Sequence, residues 1–157
     1  MYANRLVQMI ETHSDALANG LMERVLNSEK LSDMRKVPPQ ELRQRAYEVY
    51  RHLSDWLLTK TEGDIERCYS AIGKRRAEQG VALSHFLGAI LAVKEHLRAF
   101  LRREGLVDRH VELFLEMELL EMVDQFFDRA LYYAARGYEQ ASKAHSSQEV
   151  SSKLVAR

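Results

Sequence analysis

The chain has 157 residues, of which 46% are hydrophobic and 29% charged, which is typical of one soluble globular domain and not of a disordered segment. Its 23 basic and 23 acidic residues balance, which argues against a dedicated nucleic-acid or membrane-surface binder, because such proteins carry a basic field. With one cysteine and no apolar stretch as long as a signal-peptide core or a membrane span, we expect a cytoplasmic protein without an internal disulfide.

Two amphipathic helices are predicted in the first part of the chain. Apolar residues recur at three- and four-residue steps from about residue 3 to 26, and residues 27–33 interrupt the pattern. Proline is favoured in a first helical turn, so a second helix is predicted from near Pro39 to about Thr59. Trp56 lies on its apolar face, and we expect it to anchor the core.

A third and a fourth helix meet at a glycine corner. Asp64 is the expected N-cap of the third helix, which ends at Gly80 after the basic run Lys74–Arg76. The fourth helix is predicted from about residue 83 to 103, with Gly105 as its stop.

The last and longest helix is predicted from about residue 109 to 141, with Asp108 as its cap, and it has two apolar faces. One face is expected to close the domain. The other is expected to meet the same helix of a second chain in a symmetric dimer, because a surface helix of a monomer needs only one apolar stripe. The alternative is a helix through the middle of its own domain. The predicted dimer face consists of Leu115, Leu119, Met122, Phe126, Ala130 and Tyr133, and the predicted core face of Leu113, Met117, Leu120, Phe127, Leu131, Ala134 and Tyr138.

The sequence therefore predicts an all-α fold of about five principal helices, the last two long and antiparallel. Residues 1–141 are expected to form one domain. Residues 142–157 are polar and rich in serine, a composition that predicts a linker or a disordered tail. No alternating strand pattern or hairpin turn competes with this interpretation.

No catalytic or metal-binding motif stands out in the sequence. It has no Glu-x-x-His, Cys-x-x-Cys, His-Glu-x-x-His, glycine-rich phosphate loop or Gly-x-Ser-x-Gly. Cys68, on an apolar helical stretch, is expected to be a buried structural thiol. We therefore expect no enzyme, no bound metal and no cofactor, although residues distant in sequence could still form a catalytic site. The candidate haem ligand is His96, in the middle of the fourth helix.

The basic run and the helix after it superficially resemble a helix-turn-helix. A recognition helix must present polar side chains to DNA, whereas this second helix is apolar nearly all round, and the last helix is acidic. We therefore interpret the run as a solvated helix end or as an ion-pair site for the acids of the last helix. Arg76 could pin the corner to such an acidic neighbour.

Four residues at the corner, Gly73, Arg76, Ala77 and Gly80, carry the strongest family signal. Together with Ile72, Leu83, Phe86, Leu87 and Ala89, this corner motif resembles the most recognisable stretch of the N-terminal sensor domains of RsbT co-antagonist (RsbR-type) proteins. Residues 127–139 are similar to the closing helix of that family, and the resemblance spans roughly residues 5–140.

The resemblance implies a globin-like helical bundle without haem that forms homodimers and acts as the input module of a bacterial signalling protein. Such modules precede STAS domains in stressosome proteins, or histidine-kinase and other output domains. Because 157 residues leave no room for one, we expect either a stand-alone member of the family or a fragment that ends in the serine-rich segment after about Ala141. We expect a signal to pass along the last helix to an output domain or partner. The alternative is a globin-like sensor that binds haem or another small ligand.

Overall fold

The structure, a computed structural model, describes the backbone of residues 2–104 and 110–156 and the side chains of residues 5–104 and 116–156. These residues form helices and no strand, which confirms the all-α prediction. Two short segments, a 3-10 helix at Glu29–Lys36 and a π-helical turn at Asp55–Thr59, connect longer helices. The α-helices are α1 Tyr2–Thr12, α2 Ser14–Leu26, α3 Pro39–Arg51, α4 Glu62–Glu78, α5 Leu83–Glu104 and α6 His110–Val155.

Tertiary contacts divide the first predicted helix into α1 and α2 at His13. Its backbone is not helical there (φ −98°, ψ 17°), and its ring Nδ1–H donates to the carbonyl oxygen of Met9 at 2.7 Å. The same ring packs against Phe100 of α5, with 5.6 Å between the ring centroids. Helical periodicity continues through this point, so the sequence pattern alone did not reveal the bend.

The second predicted helix begins at Pro39 as expected but ends as an α-helix at Arg51, and the π-helical turn follows. The predicted N-cap of α4 was wrong by three residues. Thr61 is the N-cap: its hydroxyl accepts the N–H of Asp64, and the Asp64 carboxylate accepts the N–H of Thr61 in return. This reciprocal pair is a capping box, and Asp64 is its third helical residue.

The 3-10 segment supplies a cap to α5 from far along the chain. Asp33 Oδ2 accepts the N–H of Ala82 at 2.8 Å, just before α5 begins, and the N–H of Asp33 donates to His85 Nδ1 at 3.1 Å. The first N–H groups of a helix have no partner within it, so this contact fixes both α5 and the segment.

Helix α6 lies against α4, α5 and α1. It is antiparallel to α5. Arg98, late in α5, pairs with Asp124 at 3.0 Å, whereas Phe86, early in α5, stacks on Tyr138, which comes later in α6, with 6.5 Å between the ring centroids. We predicted its end near Ala141, but it continues to Val155, and residues 142–156 are exposed. Their assignment as a linker remains a prediction. The predicted stop at Gly105 and the predicted cap Asp108 lie outside the described residues.

Two glycines bring α4 and α6 into backbone contact. A Cβ on Gly73 of α4 would overlap the backbone oxygen of Ala134, and a Cβ on Gly137 of α6 would overlap that of Ser70. The helices therefore cross at a distance that no larger residue permits at either position. Within the described residues, no helix is long and apolar enough to cross a membrane.

We expect Gly73→Ala to lower the free energy of unfolding by about 1–3 kcal/mol, because the added methyl group forces two packed backbones apart. Gly137→Ala should behave alike. The measurement is urea unfolding followed by helical circular dichroism at one fixed protein concentration.

The matched control is Gly63→Ala in the first turn of α4. Its added methyl group would meet only side-chain atoms, the closest being Arg67 Nη1 at 3.3 Å. Alanine favours a helix more than glycine does, so this variant should be neutral or stabilised by up to about 1 kcal/mol. Equal stability of the Gly63 and Gly73 variants would contradict the proposed close crossing.

Candidate functional site

The corner between α4 and α5 is closed by backbone hydrogen bonds that explain two residues of the motif. Gly80 has a φ of +73°, a left-handed conformation that favours glycine. The N–H of Val81 donates to the carbonyl oxygen of Arg76 at 3.1 Å, and the N–H of Gly80 donates to that of Ala77 at 3.1 Å. This pair of bonds is a Schellman motif, which satisfies carbonyl groups that the end of α4 leaves free.

Arg76 is buried, with only 2% of its surface exposed, and it joins α4 to α3. Its Nη1 donates to Glu41 Oε1 at 2.8 Å and to Gln79 Oε1 at 2.9 Å. Arg75 binds the same carboxylate from the solvent side, with its Nε 3.1 Å from Glu41 Oε1. We interpreted the basic run as a helix end with Arg76 pinned to an acid. Arg76 is such an anchor, although its partner lies on α3 and not on the acidic last helix.

The electrostatics of this cluster follow from its hydrogen bonds. The bonds from Arg75 and then Arg76 outweigh the effect of burial and lower the pKa of Glu41 from 4.5 to about 2. Burial lowers the pKa of Arg76, but a guanidinium remains protonated at every pH that a folded protein meets. The Glu41–Arg76 contact is therefore a buried ion pair at neutral pH.

Two further contacts attach the corner to the rest of the domain. Lys36 Nζ, from the end of the 3-10 segment, donates to the carbonyl oxygen of Gly80 at 3.0 Å. The hydroxyl of Tyr138, on α6, donates to the carbonyl oxygen of Val81 at 2.7 Å. With Gly73 against Ala134, the corner is fastened to α6 at two places one helical turn apart. The four residues of the predicted motif thus lie together at the junction of α3, α4, α5 and α6.

A cavity of about 70 Å³ lies beside Arg76. Its wall is almost wholly apolar and includes Leu21, Val49, Ile72, Phe86 and Phe127, from α2 through α6. Arg76 is part of this wall. Its Nε is buried and has no hydrogen-bond partner among the described residues. Nearly all buried polar groups in proteins are hydrogen-bonded, so this N–H is a candidate contact for something that enters the cavity.

The predicted dimer face does not lie on the outside of the molecule. Leu119, Phe126 and Ala130 are buried within their own chain, so their assignment to an outward interface is wrong. Of the other predicted members of this face, Met122 and Tyr133 are half-buried, and the side chain of Leu115 lies outside the described residues. The two predicted faces adjoin around the helix, and their buried members form one broad stripe that packs between α4 and α5. Met117, predicted on the core face, is 61% exposed, so that assignment is wrong.

The aromatic residues near this stripe form one cluster. Trp56 is half-buried, with its ring 5.6 Å from Phe126 and 5.9 Å from Tyr69, so it does anchor the core from the π-helical turn. Cys68 is half-buried, and burial raises the pKa of its thiol, so a smaller fraction of it is present as the reactive thiolate.

His96 is not placed as a haem ligand would be. It is half-buried against Gly20 of α2, it is not part of the cavity wall, and burial lowers its pKa. A porphyrin needs several times the volume of the cavity, so the residues present do not fit this group. Among the described residues, no group of three His, Cys, Asp or Glu side chains could hold a metal ion.

Some residues of the site could not be identified from the sequence. Glu41 is one of many surface-like acids on an amphipathic helix, and only the folded chain shows that it meets Arg76. Gly137 carried a usable signal, because a glycine inside a long helix lowers stability unless close packing requires it.

Comparison with known families identifies a match over most of the chain. The family described as "RsbT co-antagonist protein rsbRD N-terminal domain" matches residues 15–151 of the chain. No curated protein matches the chain, and no solved structure does.

The ion pair makes a prediction about pH. The pKa of Glu41 is lower in the folded chain, so its contribution to stability is fully present above about pH 4.5 and is lost as the pH falls toward 2. Glu41→Gln should therefore destabilise the protein at pH 7 by at most about 3 kcal/mol, and the difference from wild type should shrink at pH 3. Urea unfolding at pH 7, 5 and 3 measures this.

Asp15→Asn is the control, because it removes an ion pair to Arg43 in which the Asp15 side chain is largely exposed. Its stability should follow that of the wild type at all three pH values. A Glu41→Gln deficit that stays constant from pH 7 to pH 3 would contradict the assignment of the low pKa.

Proposed function

The chain belongs to the family of RsbT co-antagonist rsbRD N-terminal domains, and from this premise we propose that it is a non-enzymatic signalling input module that relays a stimulus through α6. The family suggests an input domain of the stressosome type. The observation that carries the relay is the continuity of α6, which runs from the corner to Val155 without a break.

The corner gives such a relay a rigid point of attachment. Backbone contact at Gly73 and the hydrogen bond from Tyr138 to Val81 tie α6 to the end of α4. At 1.5 Å per residue, about 25 Å of uninterrupted helix lies between Tyr138 and Val155. A shift or rotation at the corner would therefore move the far end of α6, where an output domain or a signalling partner would be attached.

We propose that the module is a homodimer, and that it associates through the outer face of α5 and α6. Large apolar side chains are exposed there: Leu91 is 42% exposed, Tyr132 62% and Met117 61%. Leu87 and Leu131, on the same two helices, are half-buried. We call this surface, formed by Leu87, Leu91, Met117, Leu131 and Tyr132, the outer α5–α6 face. The zero net charge gives little repulsion between copies.

We assign this module no reaction, no nucleic-acid ligand and no membrane. The polar groups at the corner bind one another, since Arg75, Arg76 and Gln79 all contact the Glu41 carboxylate. Guanidinium and amide groups are not nucleophiles, and the one group that could act as a nucleophile, the Glu41 carboxylate, is occupied by hydrogen bonds from these three side chains. The balanced charge and the single, half-buried cysteine suit a partner protein in a reducing cytoplasm.

A sensor of a small ligand is the second candidate function. The cavity at Arg76 supports it, whereas the position of His96 and the cavity volume speak against haem as that ligand. The two functions are compatible, because a ligand in this cavity would touch the same corner that holds α6.

We expect Leu91→Glu to weaken dimerisation at least tenfold, because the change buries a carboxylate in an apolar interface. Sedimentation equilibrium over a range of protein concentrations measures the dissociation constant. Leu58→Glu is the matched control, since Leu58 is 65% exposed on the π-helical turn, outside the outer α5–α6 face. If both variants dimerise as tightly as the wild type, the proposed interface is wrong.

The orientation of the two chains is a separate prediction. An input dimer must present both α6 ends to one output, so the helices should be parallel. Nitroxide labels at Ser147→Cys, in a Cys68→Ser background, should then be about 15–35 Å apart by double electron–electron resonance. Ser147 lies about 24 Å along α6 from Leu131, so antiparallel helices would place the labels about 50 Å apart or more, and that result would contradict the relay.

A further inference from the structure

We propose that the cavity at the corner binds a compact, neutral, mostly apolar molecule with one hydrogen-bond-accepting oxygen, and that Arg76 Nε is its donor. The inference rests on the proposed function, since it names the class of ligand that an input module of this kind would sense. Two independent features of the structure lead to it: the volume beside Arg76 and the unpartnered N–H of its side chain.

The donor is held in place by the rest of its own side chain. Arg76 Nη1 is bound to Glu41 Oε1 at 2.8 Å and to Gln79 Oε1 at 2.9 Å, which fixes the planar guanidinium. The Nε–H is left without a partner among the described residues, and a buried donor without an acceptor destabilises a protein. Any molecule that supplies an acceptor there removes that cost when it binds.

The wall of the cavity limits what the rest of the ligand can be. Apart from Arg76, the polar side chains in the wall are those of Arg45, which is exposed, and Tyr69. A water molecule needs two to four polar partners to be stable inside a protein, and this wall offers few. The remainder of the wall is made of aliphatic and aromatic carbon, for example Leu21, Ile72 and Phe127, so it favours hydrocarbon.

Charge decides between a neutral ligand and an anion. Glu41 already neutralises Arg76, and it also receives two hydrogen bonds from Arg75. A carboxylate ligand would add a second negative charge within an apolar cavity, where no further buried cation is free to pair with it among the lining residues. A ketone, aldehyde, ester or alcohol oxygen accepts the same hydrogen bond without that cost.

The volume sets the size of the ligand. Cavities of about 150 Å³ lined by aliphatic and aromatic residues take up benzene, which has six non-hydrogen atoms, so a cavity of about 70 Å³ has room for roughly three or four. Acetone, isobutene and acetate have the same shape and four non-hydrogen atoms each. They differ in hydrogen-bond acceptance and charge. Acetone is a neutral acceptor, isobutene is a hydrocarbon without an acceptor, and acetate is an anionic acceptor.

The test is a titration of the whole chain with these three compounds, observed by nitrogen-15 NMR of the arginine Nε–H groups. We expect acetone to shift the Arg76 Nε–H signal in a saturable way, and isobutene and acetate to bind at least tenfold more weakly. The internal control is Arg75, whose Nε–H is already bound to Glu41 at 3.1 Å and should not move.

Two variants test the site without depending on Arg76 for folding. Ala89→Val and Ala46→Val each add methyl groups to the cavity wall and should weaken acetone binding at least tenfold while the Arg76 signal stays in place. Arg76→Met should abolish the preference for acetone over isobutene, provided that its circular dichroism matches the wild type.

Four results would overturn the inference. They are no saturable shift of Arg76, equal affinity for isobutene, tighter binding of acetate, or a bound water at Nε–H that acetone does not displace. Repeating the label distance at Ser147 with saturating acetone separates the two proposals. If acetone binds and the label distance does not change, the relay is contradicted and the proposed ligand site stands. If the dimer is parallel and acetone does not bind, the ligand site is contradicted and the relay stands.

Discussion

The backbone contact between α4 and α6 is the constraint on which the rest of the domain depends. Because Gly73 and Gly137 have no side chain, the two helices approach closely enough for Tyr138 to reach the carbonyl oxygen of Val81. That hydrogen bond fixes the corner, and the corner in turn fixes where α5 begins. The position of Arg76 under α3, and the cavity beside it, are consequences of this one crossing.

The buried ion pair fixes the orientation of the Arg76 side chain within this framework. A well-packed apolar pair at Glu41 and Arg76 could hold α3 on α4 at least as firmly, since buried ion pairs contribute little net stability. What the guanidinium supplies is a fixed geometry with one donor left over. The junction of four helices thus combines a rigid contact, a charged anchor and a small void within one turn of each other.

The sequence predicted the fold class, the approximate extent of α3, α4 and α5, and the corner motif, because these depend on local periodicity, proline and glycine. It did not predict the division at His13 or the capping of α5 by Asp33, since both depend on contacts between segments far apart in the chain. The outward face on α6 was wrong for a related reason. Two adjoining apolar stripes cannot be distinguished from one broad stripe until the neighbouring helices are placed.

Because α6 is long, its backbone amides differ widely along the helix in their protection from hydrogen exchange. Around Phe127 and Ala134 the helix is buried by α4 and α5, whereas after Ala141 every described side chain is exposed. A helical segment of this size is marginal in water when nothing packs against it. Hydrogen exchange should therefore be slow near Phe127 and fast near Val150, with the boundary close to the last contact with the corner. The far part of α6 can then gain order from whatever molecule it meets.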